Sequence, residues 1–253
     1  MAIDSQLLQQ ASNPHTPPEQ LRKLANCEDA TIRQLVVVNP NTPTEVLWEL
    51  GKEFPAQLLE NPVLALLCLE NLNLVDVIPI ETLICLFNLE TVPDYLKQGL
   101  IYAQVQVRVA IAKHLNAPVH LLELLAQDPN PEVRWASAHN TNTPVHCLEQ
   151  LAQDPEPKTR VAIVYNTNTP VHCLEQLAQD PEEWVRWEIA RNRNTPVPCL
   201  ELLAQDPDKS VRWAIALNPN TPVYWLKSLE SDRDPDIREA AQVKLKERFP
   251  ELA

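Results

Sequence analysis

Glycine is almost missing from this chain: 253 residues contain only Gly51 and Gly99. A phosphate-cradling loop and a Gly-x-Ser-x-Gly nucleophile elbow therefore have no material, and no HExxH metal motif occurs. Basic residues are scarce as well, 21 Lys and Arg against 34 Asp and Glu, for a net charge of −13. Affinity for duplexes comes largely from neutralising phosphates, so this balance argues against nucleic acid and anionic membranes as partners. The opening MAIDSQLLQQ lacks the basic start and apolar run of a secretory signal. Apolar stretches such as residues 63–69 fall far short of the ~20 residues of a membrane span. These absences predict a cytoplasmic protein without membrane contact. The six cysteines show no CxxC spacing.

What the chain does have is 24 prolines and a strict period. Pro118, Pro144, Pro170, Pro196 and Pro222 stand 26 residues apart. Arg108, Arg134, Arg160, Arg186, Arg212 and Arg238 keep the same step, as do Asp128, Asp154, Asp180, Asp206 and Asp232. So do Asn116, Asn142, Asn168, Asn194 and Asn220. The phrase NTNTPVHCLEQLAQDP fills residues 140–155 and again 166–181 without a change. Near the start, IRQLVVVNPNTP at 32–43 matches VRWAIALNPNTP at 211–222. A fixed period of this length is the signature of an array whose units stabilise one another by stacking. The expected organisation is one continuous array. Its parts are N-terminal repeats over 1–50, diverged leucine-rich repeats over 51–105, regular 26-residue repeats over 106–230 and a C-terminal capping helix over 231–253.

Each unit carries two helix starts. In DPEPKTRVAIVYN the Asp is expected to cap and Pro to take the first helical position. In NTPVHCLEQLAQ, Thr is expected to cap and Pro follows. Asn140, Asn166, Asn192 and Asn218 stand where a helix must stop, and a left-handed Asn there would replace the missing glycines. The second helix shows a stripe of Val145, Leu148, Leu151 and Ala152 flanked by Cys147, and the first shows Val211, Ala214 and Ile215. Neither helix buries its stripe alone. The fold expected is therefore an all-α solenoid of two-helix, 26-residue repeats, the first helix short and either α or partly 3₁₀.

The stretch VRWAIALNPNTPVYWLKSL resembles the leucine-rich repeat variant family, strongly over 100–245, moderately over 12–50 and weakly over 51–100. That resemblance implies a right-handed solenoid of alternating α and 3₁₀ helices and a presumed role in protein binding. One type of member carries an N-terminal four-cysteine iron–sulfur module. Here Cys27 is the only cysteine before Cys68, so no such cluster follows and no cofactor is expected. The unit is slightly longer than the family's usual one, which leaves room for two α-helices. The fragment DPxxxVRxA also resembles the HEAT-type repeat, whose Asp and Arg six apart form ladders between units. Carried over, the pairs are Asp128/Arg134, Asp154/Arg160, Asp180/Arg186 and Asp206/Arg212.

The arginine ladder reads as pairing with the Asp ladder and with helix-end carbonyls, in preference to a phosphate stripe. His120, His146 and His172 are equivalent, but neighbouring helices ~8–10 Å apart cannot share a metal that needs nitrogens ~2 Å away. They read as a solvated face, and no metal site or catalytic residue is expected. Cys147, Cys173 and Cys199 read as small buried hydrophobes. Trp135, Trp187 and Trp213 each follow a ladder arginine, with Val161 in the unit between. They either pad the core or form an aromatic row for a partner. Leu64, Leu66, Leu67, Leu69, Leu72 and Leu74 are too dense for one stripe, so that segment is either buried on several sides or an exposed patch. Burial is the preferred reading, with a monomer, or a weak dimer through 60–100, as the assembly. Two functions follow: a non-catalytic scaffold holding an unknown protein or peptide on a concave surface, or a HEAT-like solenoid acting on nucleic acid or a bound ligand, as glycosylases and bilin lyases of that kind do. The first is preferred.

Overall fold

The computed structural model describes residues 5–71, 73–90 and 92–250; the side chains of Cys68 and Leu69, and Leu72 altogether, lie outside the described residues. Those residues form twenty α-helices and no strand. The chain packs as two units, Met1–Leu121 and Leu122–Ala253. The first contains α1 (Ser5–Ser12), α2 (Pro18–Leu24), α3 (Ala30–Val38), α4 (Thr44–Gly51), α5 (Pro55–Glu60), α6 (Pro62–Glu70), α7 (Leu74–Val77), α8 (Ile80–Phe87), α9 (Asp94–Tyr102) and α10 (Val105–Lys113). After α11 (Val119–Leu125), the second contains α12 (Pro131–His139), α13 (Val145–Leu151), α14 (Pro157–Tyr165), α15 (Val171–Leu177) and α16 (Glu183–Arg191). It continues through α17 (Val197–Leu203), α18 (Lys209–Leu217), α19 (Val223–Leu229) and α20 (Pro235–Arg248).

The second unit is a stack of helix pairs, the α-solenoid arrangement. A nine-residue helix is followed by a seven-residue helix, and both are α. The 3₁₀ alternative fails because 26 residues leave room for two full i→i−4 ladders joined by tight turns. First helices pack on first helices: α12 on α14, α16 on α18, α18 on α20. Val211, Ala214 and Ile215 are buried, as their spacing predicts. In the second helix the stripe is shifted. Cys147, Leu148, Leu151 and Ala152 are in the core, whereas Val145 is 49% exposed. Val145 is the first residue of α13, and its side chain stands at the open end of the stripe.

Three capping expectations are corrected. Asp154 does not cap α14; Glu156 takes the N-cap position without a side-chain cap bond, and Pro157 takes the first helical position. The Asp154 carboxylate instead accepts from Glu156 N at 2.8 Å, which folds the turn ahead of the helix. Thr143 does not cap α13 either. Its hydroxyl donates to the Ser137 carbonyl at 2.6 Å and closes the end of the preceding helix. The asparagines are extended, not left-handed: Asn166 has φ −75° and ψ 121°. Its side-chain amide donates to the carbonyls of Ala138 (2.8 Å) and Asn140 (2.9 Å) in the previous pair. Its Oδ1 accepts from Asn168 N at 2.9 Å. Asn166, Asn192 and Asn218 thus each end one helix and tie it to the last, and among the described residues no φ is positive. This is how the fold manages with two glycines. Those two serve close packing: a Cβ on Gly99 would lie 2.7 Å from Val75 Cγ2, and one on Gly51 would run into the Leu58 side chain.

Between residues 51 and 105 the described residues form five helices, α5 to α9, joined by turns. Leu64 and Leu74 are buried and Leu67 is half-buried, but Leu66 is 56% exposed, so the leucine-dense segment is neither wholly core nor wholly patch. Val77, Ile101 and Tyr102 are exposed in the same region. Among the described residues no helix is long and apolar enough to cross a membrane. The last helix, α20, runs for 14 residues and buries only Ile237, Ala241 and Leu245.

Candidate functional site

The spacing of the second unit is set by its arginines. Arg160 sends Nε and Nη2 to the two oxygens of Asp180, at 2.6 and 2.8 Å, and Nη1 to the Asp154 carbonyl at 2.8 Å. Arg134 does the same with Asp154 and the Asp128 carbonyl, Arg186 with Asp206 and the Asp180 carbonyl, Arg212 with Asp232 and the Asp206 carbonyl. The residue six before each Arg is therefore met through its backbone, and the carboxylate partner comes from 20 residues on, in the next pair. The Asp and Arg six apart therefore form a ladder between units, as the HEAT-type resemblance implies, the Asp six before each Arg being met through its carbonyl and the ion pair running to the next unit. A planar fork bridges the two pairs because it has parallel donors for a carboxylate and a third for a carbonyl. In the first unit Arg33 makes the same bridge with the Glu53 carboxylate and the Cys27 carbonyl.

The bond from Arg212 holds the Asp232 carboxyl below the usual carboxylate range. A depressed carboxyl stabilises the fold above its unfolded pKa of about 4, and the contribution is lost as pH falls through the folded value, by about 1.4 kcal/mol per pH unit. Thermal stability is expected to fall below about pH 4. Asp232→Asn is expected to be less stable at neutral pH with a shallower acid decline, read by melting curves across pH 2–7 (roughly the carboxylate range).

Trp187 and Trp213 each follow a ladder arginine. Adjacent helical residues point about 100° apart, so the arginine turns inward and the indole turns out. Trp213 is 42% exposed, and Trp187 is half-buried against the core. With Trp184, three residues before Trp187 on α16, they line a groove of about 610 Å³. The groove crosses the N-terminal turns of α16, α18 and α20. Four carboxylates share it, Glu183, Asp208, Asp234 and Asp236, against one ammonium, Lys209. Asp208 caps α18 through Ser210 N (2.7 Å) and Val211 N (3.3 Å). Asp234 caps α20 through Asp236 N (3.0 Å) and lies 3.4 Å from Lys209 Nζ. Arg191 places its guanidinium 4.6 Å from the centre of the Trp187 ring.

The predicted tryptophan row is thus only partly assembled. Trp135 packs beside His139, ring centroids 4.5 Å apart, and Val161 interrupts the series before Trp187. Trp184 does not sit on the 26-residue ladder, so periodicity hid it; its i, i+3 spacing to Trp187 was the signal. The histidines sit on the solvent face. His146 Nε2 lies 3.5 Å from Glu123 and His172 Nε2 3.2 Å from Glu149. Among the described residues no group of three or more His, Cys, Asp or Glu could hold a metal. Cys147, Cys173 and Cys199 are buried, and burial pushes their thiols up, Cys199 to about 11. A thiol held protonated is a poor nucleophile.

No family model matches the sequence, and no curated protein matches it. A solved structure described as a leucine-rich repeat variant with a novel repetitive protein structural motif is similar to this chain. It has a TM-score of 0.53 at 20% identity, over 90% of this chain and 82% of that one. The likeness is one of fold.

Proposed function

We propose that this protein is a non-catalytic repeat scaffold that holds a segment of a protein partner in the groove of its second unit. One observation carries the reading: Trp184 and Trp187, half-buried against the core, and the more exposed Trp213, from two successive first helices, line one open groove. Tryptophan is the residue most enriched where interfaces concentrate their energy, because it buries a large area with few rotors to freeze. The ladder beneath supplies the rigidity such a surface needs: Arg186 and Arg212 fix the helices that carry Trp187 and Trp213. The acidic lining opposes the nucleic-acid alternative, since a phosphate backbone would meet four carboxylates.

Affinity capture from the cells that make the protein tests this. Trp187→Ala/Trp213→Ala is expected to lose at least about nine-tenths of a captured partner, as hot-spot truncation implies. Trp135→Ala, outside the groove, is expected to retain it. Undiminished capture by a folded double variant overturns the reading.

A further inference from the structure

We propose that the groove takes an extended peptide segment bearing arginine or lysine side chains, which stack on Trp213 and pair with Glu183 and Asp236. The inference rests on the scaffold reading and names the chemistry of its partner.

Charge selects the occupant. Of the four carboxylates in the groove, Asp208 and Asp234 are engaged in capping, and Asp234 also neutralises Lys209. Glu183 and Asp236 are exposed, and among the described residues neither carboxylate is hydrogen-bonded. The free charge presented is therefore negative, and it lies on both sides of the indoles, Glu183 on α16 and Asp236 on α20. Between them the apolar lining is three indoles and the buried Ile237. An indole face carries negative quadrupole density and attracts a guanidinium or ammonium within about 6 Å. The molecule already shows the pairing: the Arg191 guanidinium lies over Trp187. Trp213, the most exposed of the three, makes no such contact among the described residues and is the open platform. An apolar helix would leave the two carboxylates unpaired at its edges, and a polyanion would be repelled.

Dimension agrees. Three helices packed side by side at ~8–10 Å make a groove roughly 16–20 Å long. At ~3.3 Å per residue, an extended segment of about five or six residues spans it.

The test uses the full chain and blocked hexapeptides (the length estimated above), followed by anisotropy of a labelled peptide and by tryptophan fluorescence at ~0.15 M salt. Hexa-arginine is expected to bind and quench; hexaglutamate and a Gly-Ser peptide are not. Trp213→Ala is expected to weaken hexa-arginine about tenfold, and so is Glu183→Gln/Asp236→Asn. The control Glu60→Gln/Glu81→Gln removes the same charge from the first unit and is expected to change binding less than about twofold, since exposed charges that do not line the groove are screened. Circular dichroism confirms that each variant is folded. Absence of hexa-arginine binding, or an equal loss in the control, overturns the proposal. If a captured partner is nevertheless lost on Trp187→Ala/Trp213→Ala, only the cationic chemistry falls; if the partner too is retained, the scaffold reading falls with it.

Discussion

Asp180→Ala is expected to destabilise the protein by about 3–5 kcal/mol, the cost of breaking a buried ion pair from one side. The Asp180 side chain is 3% exposed and that of Arg160 is 10%. Removing the carboxylate leaves Arg160 with its carbonyl bonds to Asp154 and Pro155 and no countercharge. It also strands Glu182 N, which donates to Asp180 Oδ1 at 3.0 Å. For a chain of this size the loss corresponds to a melting shift of roughly 6–20 °C. The double variant Arg160→Met/Asp180→Ala is expected to recover much of it, because the penalty lies in the orphaned charge more than in the lost attraction. Urea titrations of the three variants measure this. A change under about 1 kcal/mol in the single variant would show that the ladder does not hold successive pairs together. The Arg22–Glu45 pair offers a contrast: its side chains are 41% and 63% exposed, and Glu45→Ala is expected to alter the melting temperature little.

A second large loss is expected from Asn218→Asp. The Asn218 amide donates to the carbonyls of Ala190 (2.7 Å) and Asn192 (3.0 Å), and its Oδ1 accepts from Asn220 N at 2.9 Å. The residue is 2% exposed. Aspartate keeps the shape and the bond to Asn220 N but turns two donor bonds into contacts between oxygens. Each stranded carbonyl costs about 1–3 kcal/mol, so the loss is expected to be about 2–6 kcal/mol. It should shrink at low pH, where a protonated carboxyl regains one donor. Urea denaturation at neutral and acid pH, compared with the parent chain, measures both parts. Equal stability at neutral pH would mean that water satisfies the two carbonyls and that Asn218 does not connect the pairs.

Much of this architecture was legible before any coordinates. The 26-residue recurrence of Pro, Arg, Asp and Asn implied a stack of interchangeable helix pairs, and the Val211, Ala214 and Ile215 stripe marked the face that is buried. The roles of the polar residues were less legible. Asp154, Thr143 and Asn166 were read by local rules, as caps and a left-handed stop. They serve the turns and the neighbouring pair instead. Local rules weigh a residue against its nearest backbone groups; a stacked repeat offers it acceptors 20 to 28 residues away that a single unit cannot show.

The same division holds for the site. Sequence alone determined that the chain repeats, that it is acidic, and that indoles accompany the arginines at most of the regular units. Only tertiary structure decided that Trp187 and Trp213 share a groove with Trp184 while Trp135 does not, and that among the described residues two of the four carboxylates there accept no hydrogen bond. The reason is physical. Periodicity is a property of positions along the chain. A groove is a property of surfaces brought within a few ångströms by packing, where one Val in place of Trp ends a row and one cap removes a charge.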